Sequence, residues 1–385
     1  MRWLAALVAS TVGACGVAAS GDPQGTVGPS PSAPKAASAP GPAPAPVAGP
    51  ASTARAPAWI PVPRTAGRIT SKELGLVINT ADPYSVEVGE FYIQARKLAA
   101  EQVLRVELPL KPALTGDEFR ALDRRVSAYF GANVQALALA WARPYAVECN
   151  SITAALALGF DGELCKQTCA PPLRFSPYLN SASTRPYTDL GLRPTMLLAA
   201  DDAEAAKAMV RRGVASDHTL GLRGAPPVNT YFVSTPDRVR SVRAALFPPP
   251  GRIARIGVDV HVEHTPALQG AERVLLYLTG AVSVPGLDTI SWVPGGVGDH
   301  LTSFGGALQG RGQMPATAWI VSGATASYGT VSEPCSHLQK FPHPQVLLLQ
   351  YAQGSSVIEA YWKSVAWPQQ GVFIGEPLAA PFARR

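Results

Sequence analysis

Several motif classes are missing from this chain of 385 residues. It contains no GxGxxG, P-loop or GxSxG fingerprint, so it lacks the usual phosphate-binding and serine-hydrolase signatures. It also has no internal repeat. Its basic residues are scattered and are not interleaved with aromatic residues, so the net charge of +6 does not predict a nucleic-acid partner.

Long apolar runs are scarce. Trp3 to Ala14 carries no charge and follows Met1-Arg2. It is shorter than the ~20 residues that a membrane-spanning helix needs, and it is typical of a signal-peptide core. The run ends at Val12-Gly13-Ala14-Cys15, which resembles a bacterial lipobox, and ordinary cleavage near Ala18-Ala19 is the alternative. Residues 1–15 are therefore predicted to be an export signal whose lipobox makes Cys15 the lipidated N-terminus.

Large apolar and charged side chains are nearly absent from residues 16–63, which consist mainly of Pro, Ala, Gly and Ser. Such a segment cannot bury enough apolar surface to offset the entropy of ordering, and its prolines favour an extended spacer. We therefore expect a disordered tether. The predicted localisation is the cell envelope, at the outer membrane or in the periplasm, with membrane contact only through the lipid on Cys15.

Residues 66–385 are predicted to form the folded domain, because hydrophobic residues make up 47% of the chain. Apolar runs that favour strands alternate with amphipathic segments: a strand at Leu74–Asn79 precedes a helix at Ser85–Ala99. A long helix from Pro344 to Val365 is predicted to break near Gly354. This alternation predicts an α/β fold with a mostly parallel sheet and helices on both faces.

Cysteine is scarce in this domain, and the four residues are Cys149, Cys165, Cys169 and Cys335. An even number in an exported chain predicts two disulfides. We expect a local Cys165–Cys169 bridge and a long-range Cys149–Cys335 bridge, because Cys149 and Cys335 both follow strand-like runs. A zinc site is the alternative, although a lone Cys-x3-Cys is a weak metal signal. Three of the cysteines fall in an irregular excursion at 149–193.

Three segments near the C-terminus combine glycine, hydroxyl and titratable residues: Gly298–Gly306, Gly323–Gly329 and Glu333–His337. Each follows a predicted buried strand, where α/β proteins place binding and catalytic loops. His300 and Ser303 are three residues apart and could face each other in a turn, which predicts a general base and a nucleophile. Hydrogen bonding within a tight glycine-rich loop is the alternative.

Cys335 and His337 would share one face of an extended segment, which predicts a thiol–imidazole pair. A structural disulfide is the other fate for Cys335. Glu333 is a candidate general acid or base. The residues predicted to bind a ligand are Asp299, Thr302, Ser327, Tyr328, Glu333 and His337.

Other polar patterns are predicted to be structural. His261 and His264 have an odd spacing on a predicted strand, so they would lie on opposite faces and not share a metal. Glu359 and Lys363 are four apart on a helix and favour a surface ion pair. The arginine series that ends at Arg243 is predicted to form a solvated helix face. No metal or cofactor is predicted.

Five segments together resemble a family of exported bacterial proteins found in genomes that carry PEP-CTERM sorting systems: Ala140–Tyr145, Cys149–Thr153, Asp299–Gly306, Gly323–Thr330 and Phe373–Leu378. The resemblance extends over the domain from about Leu74 onward. The family has no established activity, so the resemblance implies a fold and little chemistry.

Leu301–Phe304, Gly323–Gly329 and Ile374–Leu378 resemble segments of gingipain-type cysteine peptidases, which have a caspase-like fold. This resemblance implies a peptidase-like α/β scaffold. His300 stands where it would place the nucleophilic Cys, and Tyr277–Gly280 lacks the His-Gly pair that supplies the base in those peptidases. The resemblance therefore does not extend to their catalytic pair.

Two functional hypotheses follow. The first is a binding or accessory protein on a peptidase-like scaffold, with an unknown envelope protein or a small-molecule or peptide ligand as its partner. The second is a hydrolase that uses His300 with Ser303 or Cys335. A free Cys335 thiol favours the enzyme, and a disulfide at Cys335 weakens it.

Overall fold

The computed structural model describes residues 58–310 and 312–384. The predicted signal peptide, Cys15 and residues 16–57 of the predicted tether lie outside these ranges. Among the helices of the described residues, none combines the length and the apolar character that a bilayer crossing requires.

The strands are β1 Leu74–Asn79, β2 Val103–Val106, β3 Ala113–Leu114, β4 Ala136–Leu139, β5 Ala146–Val147, β6 Asn150–Ser151, β7 Thr195–Leu197, β8 Val228–Ser234, β9 Gly251–Ile253, β10 Val258–His264, β11 Val274–Gly280, β12 Trp292–Leu301, β13 Ala326–Thr330 and β14 Gly371–Gly375. The α-helices are α1 Pro83–Arg96, α2 Gly116–Tyr129, α3 Ile152–Leu158, α4 Pro186–Leu190, α5 Ala203–Ser216, α6 Thr317–Val321, α7 Pro344–Ala352 and α8 Val357–Trp362. Short 3₁₀ helices lie at Ser71–Glu73, Ala100–Gln102, Ser241–Leu246, Leu287–Thr289, Leu338–Lys340 and Pro368–Gln370.

Eleven strands form one sheet in the order β2-β1-β4-β7-β14-β13-β12-β11-β8-β10-β9, and β3-β5-β6 form a second sheet. Most neighbouring pairs of the large sheet are parallel, namely β1–β2, β1–β4, β4–β7, β8–β10, β8–β11, β11–β12 and β12–β13. β13–β14 and β9–β10 are antiparallel, and β14 meets β7 at a single position, Ile374 opposite Leu197. The predicted α/β fold with a mostly parallel sheet is confirmed.

Helices cover both faces of the large sheet. A Cβ added at Gly298 of β12 would lie 2.3 Å from the Trp319 ring, so α6 packs on that face. The next residue, Asp299, forms an ion pair with Arg243 of the 3₁₀ helix Ser241–Leu246. Because successive strand residues point to opposite faces, α6 and this 3₁₀ helix lie on opposite sides of β12.

The long helix predicted at Pro344–Val365 is broken near Gly354, as expected. Gly354 has a φ of 100°, a left-handed conformation that favours glycine, and it separates α7 from α8. Ser356 and Glu359 then form a capping box that begins α8. Glu359 and Lys363 are fully buried, with Oε1 and Nζ 4.0 Å apart, so the predicted surface ion pair is wrong. Burial lowers the pKa of Lys363.

Residues 58–70 form neither helix nor strand and bond to residues of α7 and α8, and we call this segment the strap. Gln345 accepts from the Ile60 N–H at 2.8 Å and donates to the Ala58 carbonyl at 3.3 Å. Glu359 accepts from the Ile69 N–H at 3.0 Å. Residues 58–63, which the sequence placed in the tether, are therefore hydrogen-bonded to the domain.

Two disulfides form, but not in the predicted pairs. Cys149 is bonded to Cys165, and Cys169 is bonded to Cys335. A hydrogen bond accompanies the first pair. Asn150, next to Cys149, donates from Nδ2 to the carbonyl of Asp161 at 2.9 Å, and this holds the segment that leads to Cys165 close to Cys149. The excursion therefore folds back on itself before the second bridge ties it to the segment after β13.

Candidate functional site

His300 lies inside β12 and not in a loop. The sequence predicted that the segment Gly298–Gly306 follows a strand as a loop, whereas β12 continues to Leu301. His300 is 1% exposed, and its two ring nitrogens both have protein partners. Trp319 Nε1 donates to Nδ1 at 2.9 Å, and Nε2 lies 3.1 Å from the Met314 carbonyl, which only a protonated Nε2 can satisfy.

The environment of His300 favours the neutral imidazole. Burial lowers its pKa from 6.5 to about 4, and this exceeds the opposing effect of the hydrogen bond to the Met314 carbonyl. The prediction of a His300–Ser303 catalytic pair does not fit this geometry, because neither imidazole nitrogen is left to accept a proton from Ser303. The alternative prediction, that His300 makes structural hydrogen bonds, agrees with these contacts, although His300 makes them from a strand and not from a loop.

The ends of β11 and β12 are closed by a local network. Arg240 Nε donates to Thr302 Oγ1 at 3.2 Å, and Thr302 donates to Gln313 Oε1 at 2.8 Å. A Cβ at Gly280, the last residue of β11, would lie 1.9 Å from the Arg240 carbonyl oxygen, so this main chain packs directly on the strand end. Ser303 uses its main-chain carbonyl to accept from Thr330 Oγ1 at 3.0 Å.

Asp299 and Arg243 form a buried ion pair, with Oδ1 and Nη1 2.6 Å apart and both side chains 1% exposed. Burial raises the pKa of Asp299, and the neighbouring Arg243 guanidinium opposes this effect. Arg243 Nη2 also donates to the Thr279 carbonyl at 2.8 Å. The prediction of a solvated arginine face is wrong for Arg243, and Asp299 cannot contact a ligand from this position.

Ser327 and Tyr328 are fully enclosed in β13. The Tyr328 hydroxyl donates to the Lys340 carbonyl, and burial raises the pKa of Tyr328 well above its usual value. Ser327 Oγ is buried and has no hydrogen-bond partner within the described residues. Both side chains are therefore part of the core and not of an accessible site.

The segment after β13 is shaped by its disulfide. Cys335 is bonded to Cys169 and has no free thiol, so the proposed thiol–imidazole pair with His337 does not exist in this state. Glu333 Oε1 accepts from the Cys335 N–H at 2.8 Å. The His337 ring lies 5.8 Å from that of Trp367. Glu333 and His337 are half-buried and close to the bridge, where they support its conformation.

A cavity of about 380 Å³ lies elsewhere, where the segments that follow β1, β4 and β7 meet residues that follow β12. Its lining residues are Asp82, Tyr84, Ala142, Arg143, Ala200, Asp201, Leu308, Gln309 and Thr317. Parallel strands bring their carboxyl ends to one edge, and α/β proteins bind ligands in crevices there. The sequence predicted a site at such an edge, but it selected other residues.

Two residues of this cavity are fixed by the fold. Asp82 is the N-cap of α1, and its Oδ1 accepts from the Tyr84 N–H at 3.1 Å. The Tyr84 hydroxyl donates to the Leu198 carbonyl at 2.8 Å and accepts from the Ala200 N–H at 3.0 Å. Burial raises the pKa of Tyr84, so it stays protonated. These bonds join α1 to the end of β7 and hold the cavity wall in place.

Three other lining groups have no internal partner. In the described ranges, neither the Arg143 guanidinium nor the Asp201 carboxylate makes a hydrogen bond or an ion pair, and both residues are exposed. Thr317 is 2% exposed, yet its Oγ1 has no hydrogen-bond partner among the described groups. The cavity therefore presents one cation and one anion, whereas the Thr317 hydroxyl is enclosed in its wall.

Metal binding finds little support in the donor set. Within residues 58–310 and 312–384, no three His, Cys, Asp or Glu side chains come together in a way that could hold a metal ion. His261 and His264 lie on β10 as expected, and each bonds a different residue, Asn229 Oδ1 at 3.0 Å and Ser234 Oγ at 2.6 Å.

No protein-family model matches the chain, and no curated protein matches it. A similar solved structure is the Arg-specific cysteine proteinase gingipain R, with a TM-score of 0.40 and 9% sequence identity over 82% of this chain and 80% of that chain. A likeness of this size carries no argument about function. The resemblance to the PEP-CTERM-associated family stays a prediction.

Proposed function

We propose that this chain is an exported binding protein that holds a small ligand in the cavity at the ends of β1, β4 and β7. The observation that carries the proposal is the contrast between two places at the sheet edge. Among the described residues, the His300 ring and the Cys335 sulfur are engaged in internal bonds, whereas the Arg143 and Asp201 side chains line a cavity and have no internal partner.

The hydrolase hypothesis receives no support from the same contacts. A nucleophile of the serine or cysteine type needs a base within hydrogen-bond reach. Both nitrogens of His300 are bonded to other groups, and Cys335 is in a disulfide. A binding role requires only a shaped cavity with a few polar groups, and the volume of about 380 Å³ falls within the range of small-ligand sites.

Export fits the two disulfides, because such bridges persist in oxidising compartments. Lipidation at Cys15 and attachment to the envelope belong to the proposal and rest on the lipobox-like sequence alone. Mass spectrometry of the N-terminal peptide from the native host tests this part, since acylation of Cys15 would add a diacylglycerol and an acyl chain.

The binding role can be tested by ligand-induced stabilisation. The full chain is screened against small polar metabolites and short peptides by thermal unfolding, in parallel with Ala142→Trp, which narrows the cavity. The matched control is Ala121→Trp on the exposed side of α2. A stabilising compound whose effect persists in Ala121→Trp and disappears in Ala142→Trp is the expected result. Equal stabilisation of all three proteins would place the site elsewhere and overturn the proposal.

A catalytic role is tested separately with fluorophosphonate and iodoacetamide probes on the unreduced protein. We expect no labelling that depends on His300. Labelling that is lost in His300→Ala but retained in a matched His264→Ala variant would restore the hydrolase hypothesis.

A further inference from the structure

We propose that the cavity binds a small zwitterion, a ligand that carries both an ammonium and a carboxylate group, such as a free amino acid or a short peptide with unblocked ends. The inference rests on the proposed binding function and names its ligand class. It follows from the two unpaired charges, the apolar part of the lining and the volume of the cavity.

The two free charges have opposite signs and line the same cavity. Arg143 follows β4, and Asp201 follows β7, yet they do not form an ion pair with each other or with any other described residue. A guanidinium recognises a carboxylate through paired N–H donors, and a carboxylate accepts from an ammonium. Two unpaired opposite charges are therefore complementary to a ligand whose own charges are separated.

Asp201 is the carboxylate that remains available. The other lining carboxylate, Asp82, is buried and caps α1 through the Tyr84 N–H. Tyr84 has already used its hydroxyl for one donated and one accepted bond. An ammonium that enters the cavity would therefore meet Asp201 without displacing an existing hydrogen bond.

The apolar walls limit the size of the ligand. Ala142, Ala200 and Leu308 contribute the apolar part of the lining, and the volume of about 380 Å³ lies near the lower end of small-ligand sites. A simple anion such as phosphate would leave these walls uncovered and would meet repulsion from Asp201. A ligand with a short apolar body between its two charges matches both the charged groups and the apolar walls.

The test uses isothermal titration of the full chain with four peptides at pH 7: alanyl-alanine, its N-acetyl form, its C-terminal amide and the form blocked at both ends. Alanine itself is a fifth ligand and distinguishes a free amino acid from a peptide. We expect the zwitterionic form to bind at least about tenfold more tightly than either singly blocked form, as for a charge-assisted hydrogen bond.

Two variants assign each charge to its partner. Asp201→Asn should make the N-acetylated and the zwitterionic peptide bind alike, while the C-terminal amide still binds more weakly. Arg143→Gln should make the C-terminal amide and the zwitterionic peptide bind alike, while the N-acetylated form still binds more weakly. Asp288→Asn and Arg124→Gln carry the same charge changes at exposed positions outside the cavity lining and should keep both discriminations.

The outcomes separate this inference from the binding role itself. Equal affinity for blocked and unblocked peptides, or a failure of every peptide and of alanine to bind, would overturn the zwitterion class. If another compound still stabilises the protein through the cavity, as judged with Ala142→Trp, the binding function stands without it. If no compound does so, both fail.

Discussion

The buried imidazole of His300 makes a quantitative prediction about pH. In the folded chain its pKa is lowered from 6.5 to about 4 by burial, so the folded state resists protonation between these values. The corresponding free energy is roughly 3 kcal/mol, at about 1.4 kcal/mol for each unit of pKa. Because the folded pKa is the lower one, this stability is present above pH 6.5 and is lost as the pH falls toward 4.

The perturbation is His300→Gln, which removes the titrating group. At pH 7 this variant should be less stable than the wild type by about 1–3 kcal/mol, since the Trp319 N–H and the Met314 carbonyl lose a well-placed partner. Between pH 7 and pH 4 the wild type should lose roughly 3 kcal/mol more than the variant, because only the wild type must keep an imidazole neutral.

The assay is urea unfolding of the full chain at several pH values between 4 and 8, with both disulfides intact. His264→Gln serves as the control for removal of a histidine, since His264 is exposed at the end of β10. Parallel stability curves for the wild type and His300→Gln would refute the reasoning, because they would mean that His300 titrates alike in the folded and unfolded chain.

Three further outcomes are expected. Arg243→Met should lower the free energy of unfolding by about 3–5 kcal/mol, because it leaves Asp299 buried without its partner, and adding Asp299→Leu should recover most of the loss. Chemical denaturation measures both variants, and an equal loss of stability in the single and the double variant would contradict the argument. Replacing Cys169 and Cys335 together by serine removes a link across 166 residues and should cost about 2–4 kcal/mol, measured against the wild type by guanidinium unfolding, where an unchanged midpoint would count against it. Gly280→Ala should cost about 3 kcal/mol, because its Cβ would lie 1.9 Å from a main-chain oxygen, and a thermal melt that matches the wild type would disprove this contact.

The sequence predicted best where a local pattern decides the structure. Leu74–Asn79 is a continuous apolar run bounded by a turn, and it forms β1 with the predicted ends. The break near Gly354 follows from one residue that can adopt a positive φ. In both cases neighbouring residues alone carry the signal, so no knowledge of the tertiary structure is needed.

The extent of β12 could not be predicted in this way. Gly295, Gly296 and Gly298 are typical of a loop, yet here they lie within the strand, where atoms of neighbouring residues occupy the space that a Cβ would fill. Trp319 takes that space at Gly298. This contact joins residues 21 positions apart and has no local signal, so the sequence placed His300 in a loop when it lies in the core.

The position of the cavity follows a sequence rule: polar residues that come after parallel strands meet at one edge of the sheet. The predicted site residues were all chosen by that rule from segments near the C-terminus. Asp82, Arg143 and Asp201 each follow an apolar strand, which is where polar residues at a parallel sheet edge meet. The sequence pattern does not show whether a charged side chain has an ion-pair partner in the fold. Arg243 pairs with Asp299, whereas Arg143 pairs with no group in the described part of the chain, and only the tertiary contacts distinguish the two.

The strap has a mechanical consequence. Main-chain groups of the strap bond the side chains of Gln345, Asn180 and Gln353, and these bonds follow one another along residues 58–65. The bonds at Ala58 and Ile60 are the first that tension on the chain ahead of them would reach, and strand β1 begins only at Leu74. Loss of the strap bonds would therefore add several residues of reach without breaking a strand pairing of the eleven-stranded sheet.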